Sequence, residues 1–216
     1  MILLLNDLMT TSALPFLTVE SLDLHWPQGA LFTGANWSSP AGAVLLQGGP
    51  SSGKTTLLRV LAGVVAPTRG RILLQGKPVR LSDVFWAEAE SAGSEQWGLP
   101  DVWAKVAKRF PGFDEAALAR HLEGFALAPH LAKQMFMLST GTRRKVWLAA
   151  ALASGAPLTL IDEPLAGLDW ASVRYLAQAV SDAVASGAER AVVLAHDDAL
   201  DGVSWAAQWQ LPDAAL

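Results

Sequence analysis

Gly48-Gly49-Pro50-Ser51-Ser52-Gly53-Lys54-Thr55 is the stretch on which the fold turns. Its spacing, G-x-x-x-x-G-K-[ST], is that of a phosphate-binding loop. The flanks agree with it. Residues 43–47, Ala-Val-Leu-Leu-Gln, read as a short apolar strand, and residues 53–61 as a helix that Gly63 closes. Glycines let the backbone curl so that several N–H groups face one phosphate, and the helix behind them presents its positive end. Lys54 brings a mobile charge for the outer phosphates of a nucleoside triphosphate, and Thr55 a hydroxyl for Mg²⁺.

Further along, residues 158–163, Leu-Thr-Leu-Ile-Asp-Glu, are an apolar strand that ends in two carboxylates. A buried strand that delivers one acid beside Thr55 gives Mg²⁺ an oxygen partner. A second acid, one residue later, is placed to polarise a water attacking the terminal phosphate. Asp162 is therefore expected as the metal residue and Glu163 as the general base.

The rest of the chain frames these two motifs. Residues 17–26 alternate as a half-buried strand does, and 71–74, 84–86 and 191–195 read as further strands. Val173, Leu176, Ala177, Val180 and Val184 form a helical stripe. Between about 88 and 138 the character changes. Leu118, Leu122 and Phe125 form a helical stripe behind an N-cap at Asp114, and Pro100, Pro111 and Pro129 divide the segment into short helices. Residues 1–16 read as an irregular extension. The pattern is an α/β core, a helical insertion, and α/β again.

Composition excludes several classes. With 16 Lys and Arg against 20 Asp and Glu the net charge is −4, which argues against binding nucleic acid through bulk positive charge. There is no cysteine, so disulfides, thiol catalysis and Cys-based zinc sites are excluded. Charged residues are 17%, below the usual ~25%, which leaves apolar surface for a partner. The uncharged run 146–161 is shorter than the ~20 residues of a spanning helix, and Ser154, Gly155 and Pro157 interrupt it. It reads as a buried helix, a turn and a buried strand. The opening Met-Ile-Leu-Leu-Leu meets Asn6 and Asp7 at once, with no cation before it, a poor signal peptide.

Between and after the two motifs, the residues resemble the ATP-binding cassette (ABC) family. Leu138-Ser139-Thr140-Gly141-Thr142, followed by Arg143, Arg144 and Lys145, looks like that family's signature Leu-Ser-Gly-Gly-Gln. Ala166-Gly167-Leu168-Asp169 is similar to its D-loop, and His196, ending the strand 191–195, stands where the family has its switch histidine. The ordered elements cover about residues 17–200. The resemblance implies a P-loop NTPase core of ABC type, with an N-terminal antiparallel β subdomain and a small α-helical insertion. Residues 1–216 would be one nucleotide-binding domain, 17–86 and 139–216 its core and 88–138 its helical subdomain.

The resemblance also implies a mechanism. Two cassettes, a homodimer or a pseudo-dimer, would sandwich ATP and Mg²⁺. Gly48, Gly49, Pro50, Ser51, Ser52, Gly53, Lys54, Thr55 and Thr56 would hold the nucleotide, and Trp26 would stack on adenine. Each loop would face Ser139, Thr140 and Gly141 of the other cassette. Asp169 would help join the two sites, and His196 would contact the γ-phosphate alongside Lys54 and Glu163. Separate transmembrane permease subunits would complete the machine, with this chain cytoplasmic and peripheral on the inner face of the membrane. No nucleic-acid partner is expected.

Departures from the pattern are informative. Thr140 and Thr142 replace a Gly and the Gln of the signature, a form similar to exporters of the ABC-2 type; the chain's size resembles the ATPases of simple bacterial exporters, including the haem-export type. The Q-loop glutamine is absent after residue 86: either Glu88 or Glu90 replaces it, or Gln96 reaches in. Trp97, Trp103, Phe110 and Phe113 read as local core in preference to a docking groove. Arg143, Arg144 and Lys145, at the unfavourable end of a helix dipole, read as solvated surface charges. The alternative function is a soluble cassette ATPase that remodels a protein or nucleic-acid complex; the chain shows neither a second cassette nor a long coiled coil. A GTPase is disfavoured because Asn6 and Asn36, the only asparagines, lie outside any Asn-Lys-x-Asp guanine reader.

Overall fold

The computed structural model describes residues 15–26, 29–185 and 189–212, apart from the side chains of Trp26, Ala89 and Glu90. The chain runs β1 (Leu17–Trp26), β2 (Gly29–Ser39), β3 (Gly42–Gln47), α1 (Lys54–Leu61), β4 (Arg69–Leu74), β5 (Lys77–Pro78), β6 (Val84–Trp86), α2 (Ala87–Ser91), α3 (Leu99–Arg109), α4 (Glu115–Gly124), α5 (Thr140–Ala153), β7 (Leu158–Asp162), α6 (Trp170–Ala185), β8 (Ala191–Ala195) and β9 (Trp205–Gln210).

Strands with no charge to expose become the centre. β6-β7-β8-β3-β9 form a sheet whose neighbours all pair in parallel. Every residue of β8 is buried, as expected of a parallel strand covered on both faces. Its side chains alternate between two cores. Val192 and Leu194 pack with α3, α5 and α6, whereas Ala191, Val193 and Ala195 pack with α1 and the second sheet. That second sheet, ordered β2-β1-β4-β5, is antiparallel. Glu20 of β1 lies opposite Arg71 of β4, and their side chains meet at 2.5 Å.

Sequence pattern does not reveal β2 or β9. Each is the edge of its sheet, and each buries few side chains: Phe32 and Ser39 in β2, Trp209 in β9. An edge strand needs no continuous apolar run, so the usual signal is missing. The run 146–161 divides as expected into the end of α5, a turn at Gly155 and β7. Residues 1–14 of the expected irregular extension lie outside the described residues, while Phe16 is buried in the second core.

Register places the functional edge. Leu46 of β3 lies opposite Ala195 of β8, and Ala195 lies opposite Asp162 of β7. Three neighbouring strands, each about 4.8 Å from the next, therefore end in one row. The phosphate loop, the acid pair and His196 all leave from this carboxyl edge, where open α/β sheets hold their ligands.

In the segment between β6 and β7, Asp114 caps α4 by accepting from the Ala117 N–H at 2.9 Å. Trp103 and Phe110 are buried, and Trp97 and Phe113 pack against the same core. The aromatics are local core. Arg190 fastens α5 to the sheet. Its buried guanidinium donates to the carbonyls of Ala151 and Leu152 and to Thr159 Oγ1, so a cation meets the negative end of the helix.

His121 is buried in α4, with Nδ1 2.8 Å from the hydroxyl of Tyr175, which itself donates to the Arg120 carbonyl at 3.0 Å. Burial, with the cations Arg120 and Arg190 nearby, pushes its pKa down to about 4 against the opposing pull of Asp114 and Asp182. The unfolded chain takes up this proton near the ordinary value of 6.5. Stability is therefore full above that value and is lost as pH falls from 6.5 towards 4, by at most about 3 kcal/mol. In urea titrations between pH 7 and 5, His121→Gln is expected to flatten the pH dependence of the midpoint. An unchanged slope would remove His121 as its source.

Candidate nucleotide site

The loop after β3 ends with backbone that few side chains tolerate. Gly53 has φ of 98°, a left-handed value that glycine adopts without a Cβ clash. It opens α1, whose Leu57 N–H bonds the Gly53 carbonyl at 2.8 Å. The Lys54 ammonium folds back over the loop. It donates to the carbonyls of Gly48 at 2.6 Å and Gly49 at 3.1 Å, and to Asp197 Oδ1 at 2.6 Å. All three of its hydrogens thus have acceptors, as a side chain only 8% exposed requires. Asp197 in turn is held below the usual carboxylate range by its hydrogen bond to Lys54.

Thr55 Oγ1 donates to Asp162 Oδ2 at 2.6 Å, joining the start of α1 to the end of β7. The other oxygen, Asp162 Oδ1, is buried and has no hydrogen-bond partner. Glu163 has φ of 45°, and its N–H bonds the Ala195 carbonyl at 3.0 Å, which ties the ends of β7 and β8 together. A cavity of about 440 Å³ opens over these groups, lined by residues 50–56 with Leu31, Glu163 and Asp197. Gly48 and Gly49 do not line it; their carbonyls accept from Lys54.

Two lining residues were not singled out by sequence. Asp197 follows His196 directly, but nothing in the pattern ranks it above other acids. Leu31 comes from the edge strand β2, on the other sheet. His196 bonds the Leu46 carbonyl through its N–H at 3.1 Å, and its ring Nδ1 lies 3.0–3.1 Å from the backbone of Asp198. It does not line the cavity. The Trp26 side chain lies outside the described residues, as does that of Glu90. Of the other Q-loop candidates, Glu88 pairs with Arg59 of α1 at 3.0 Å and lines a separate cavity of about 460 Å³ beside Asp162. Gln96 lines neither cavity; its carbonyl accepts from Gln134 Nε2 at 3.1 Å.

The signature segment forms the start of α5. Ser139 is its N-cap, accepting from the Thr142 N–H at 3.2 Å. Gly141 lies against the backbone of Gly167, so close that a Cβ on Gly141 would stand 2.2 Å from the Gly167 carbonyl oxygen. Asp169 Oδ2 accepts from Lys145 at 2.5 Å and Oδ1 from the Ser172 N–H at 2.9 Å, contacts that hold its carboxyl well below the usual range. Here the sequence expectation is corrected. Arg144 and Lys145 are not solvated surface charges. Lys145 meets Asp169, and Arg144 donates to the carbonyls of Asp162, at 3.2 Å, and Glu163. Such acceptors offset the cost of cations at a helix N-terminus. Arg143 lies 3.5 Å from Thr140 Oγ1.

Lys54, Thr55 and Glu163 thus line one cavity, and Asp162 is tied to it through Thr55 while itself lining the neighbouring one; Ser139, Thr140, Gly141 and Asp169 stand outside the first cavity. A glycine-rich loop and helix N-terminus after a parallel strand, with an acid pair at the end of the next strand but one, define a P-loop nucleoside-triphosphate hydrolase. The ABC transporter family matches residues 32–166. The cytochrome c biogenesis ATP-binding export protein CcmA of Rhodospirillum rubrum is 36% identical over 183 residues, 78% of this chain and 75% of the relative. The phosphonates import ATP-binding protein PhnC of Chromohalobacter salexigens is 32% identical over 180 residues, 73% and 66% of the two chains. The solved structure of cbiO1 from Clostridium perfringens, part of the ABC transporter complex cbiONQ, shares the fold with a TM-score of 0.66 at 20% identity, over 85% of this chain and 79% of that one. The chain belongs to the ABC transporter family, as an ATP-binding and ATP-hydrolysing subunit.

Asp197 holds the Lys54 ammonium, the group expected from the sequence to engage phosphate, so Asp197→Asn is expected to tighten ATP binding roughly twofold to fivefold, the range of a solvent-exposed ion pair. Equilibrium binding without turnover measures it. Unchanged or weaker binding would mean that Asp197 and phosphate do not compete for Lys54.

Proposed function

We propose that this chain binds ATP with Mg²⁺ in the 50–56 loop, hydrolyses it as one half of a cassette dimer, and drives export through separate membrane subunits. One observation carries the proposal: the cavity over Lys54 is lined by residues 50–56 with Leu31, Glu163 and Asp197, and the signature donors of the same chain stand outside it. A second cassette would supply Ser139, Thr140 and Gly141 to the open side. Asp169, packed beside that signature through Lys145, would help join the two sites.

The roles follow from the chemistry of each group. Lys54 and the N-terminus of α1 neutralise the outer phosphates. Thr55 and Asp162 fit magnesium: one hydroxyl and one carboxylate are few ligands, as suits an ion that keeps several waters, and Asp162 Oδ1 is a buried acceptor lacking a donor. When bound, the ion neutralises charge on the β- and γ-oxygens. Glu163, lining the cavity, takes the proton of the attacking water. His196, at the end of β8, would contact the γ-phosphate, and Trp26, at the end of β1, would stack on adenine. The similarity to the R. rubrum export protein supports outward transport. No helix among the described residues is long and apolar enough to cross a membrane. The spanning segments are accordingly assigned to partner chains, with this chain peripheral on the inner face. Residues 17–86 and 139–216 serve as its core and 88–138 as its helical subdomain.

Lys54→Ala is expected to lower ATP turnover by roughly a hundredfold or more. Glu163→Gln is expected to bind ATP, scarcely hydrolyse it and elute as a dimer in gel filtration with ATP and Mg²⁺. A monomer under those conditions, with ATP binding confirmed, would sink the dimer. Affinity purification from native membranes in mild detergent tests transport directly: a stoichiometric polytopic membrane protein is expected, and a purely soluble partner would overturn the assignment.

A further inference from the structure

The signature helix and the acid pair touch within one chain, through a residue that the roles above do not use. Arg144 stands one turn into α5. Its guanidinium donates through one nitrogen to the carbonyl oxygens of both Asp162, at 3.2 Å, and Glu163. These peptides belong to the residues assigned to the metal and to the attacking water. Among the described residues Arg144 has no carboxylate partner, and its Nε is buried without a hydrogen-bond acceptor. Its charge is thus committed to backbone carbonyls, and hydrogen bonds from a cation are roughly twice as strong as neutral ones.

Glu163 needs such a hold. Its φ of 45° is a left-handed value that a residue with a Cβ adopts at a cost of order 1–3 kcal/mol, and surrounding contacts must impose it. Two contacts grip it, one on each flanking peptide group. The Glu163 N–H bonds the Ala195 carbonyl of β8, and the Glu163 carbonyl bonds Arg144 of α5. With a peptide group held on each side of its Cα, the direction in which the Glu163 carboxylate leaves the backbone is constrained.

We infer that Arg144 is a positioning residue that aims the Glu163 carboxylate into the cavity by clamping the 162–163 peptides. Since Arg144 rides on the same first turns as Ser139 and Gly141, a shift of the signature reaches the base of its own chain through this guanidinium. The inference rests on Glu163 being the base.

The test is a double-mutant cycle on ATP hydrolysis by the full chain, in the assembly in which it purifies. Arg144→Met is expected to lower kcat by about tenfold to a hundredfold, the cost of misplacing a reacting group by about 1 Å. ATP affinity should stay within twofold, because Arg144 does not line the phosphate cavity. Arg144→Lys, which keeps the charge but not the fork, should recover part of kcat, and it carries the test if the Met variant folds poorly. In a Glu163→Gln background neither substitution should lower the residual rate further. Unchanged kcat in Arg144→Met, a matching loss of ATP affinity, or equal losses in both backgrounds would overturn the inference. Failure of the base assignment is seen separately, as near-normal turnover in Glu163→Gln with Arg144 intact.

Discussion

Parallel pairing of β3, β8 and β7 is the constraint on which the rest depends. Parallel strands all end at one edge, and the register aligns Leu46, Ala195 and Asp162 in one row. The phosphate loop, the acid pair and the His196 turn therefore start as neighbours before any side chain is considered. The same pairing demands apolar cover on both faces. α1 supplies part of one cover and α5 part of the other. Because α1 must return across the sheet from its carboxyl edge, its positive end stays at that edge, where a phosphate can meet it. Burial and function ask the same thing of this helix.

On the opposite face, α5 does more than fill space. Its first turns bear Ser139 and Gly141, while Arg144, Lys145 and the Gly141–Gly167 contact bind the helix to the segment 162–169. Its far end is fastened by Arg190 to Thr159 in β7. The start of α5 is thereby attached to the acid pair at the end of β7. Cations at the start of a helix look wrong by the dipole alone. They are accommodated because carbonyls and Asp169 lie within reach, and those acceptors belong to the catalytic edge.

Charge at the phosphate loop is balanced without nucleotide. The ammonium of Lys54 has three oxygen acceptors, two from the loop and one from Asp197. Thr55 and Asp162 satisfy each other on one side and leave Asp162 Oδ1 as a buried acceptor. In the proposed function, phosphate binding is an exchange of partners at Lys54, whereas the proposed metal position has an unmet acceptor. The two halves of the site are built on different electrostatic terms.

Sequence alone determined the parts whose signal is local. The loop 48–55, the acid pair, the buried strands β3, β7 and β8 and the N-cap Asp114 depend on residue types at short spacing, where chain geometry leaves little choice. The edge strands β2 and β9 carried no such signal, because an exposed edge has no apolar run to betray it. Only the tertiary structure decided what long-range partners decide. Asp197 became the partner of Lys54 across 143 residues, and Leu31 a wall of the cavity from another sheet. Glu88 turned to Arg59, and Arg144 and Lys145, solvated charges by their place at a helix start, became contacts to residues 162, 163 and 169. A charged side chain reports its type in the sequence. Which acceptor completes it depends on how strands and helices are stacked, and that is written in the packing of the whole chain.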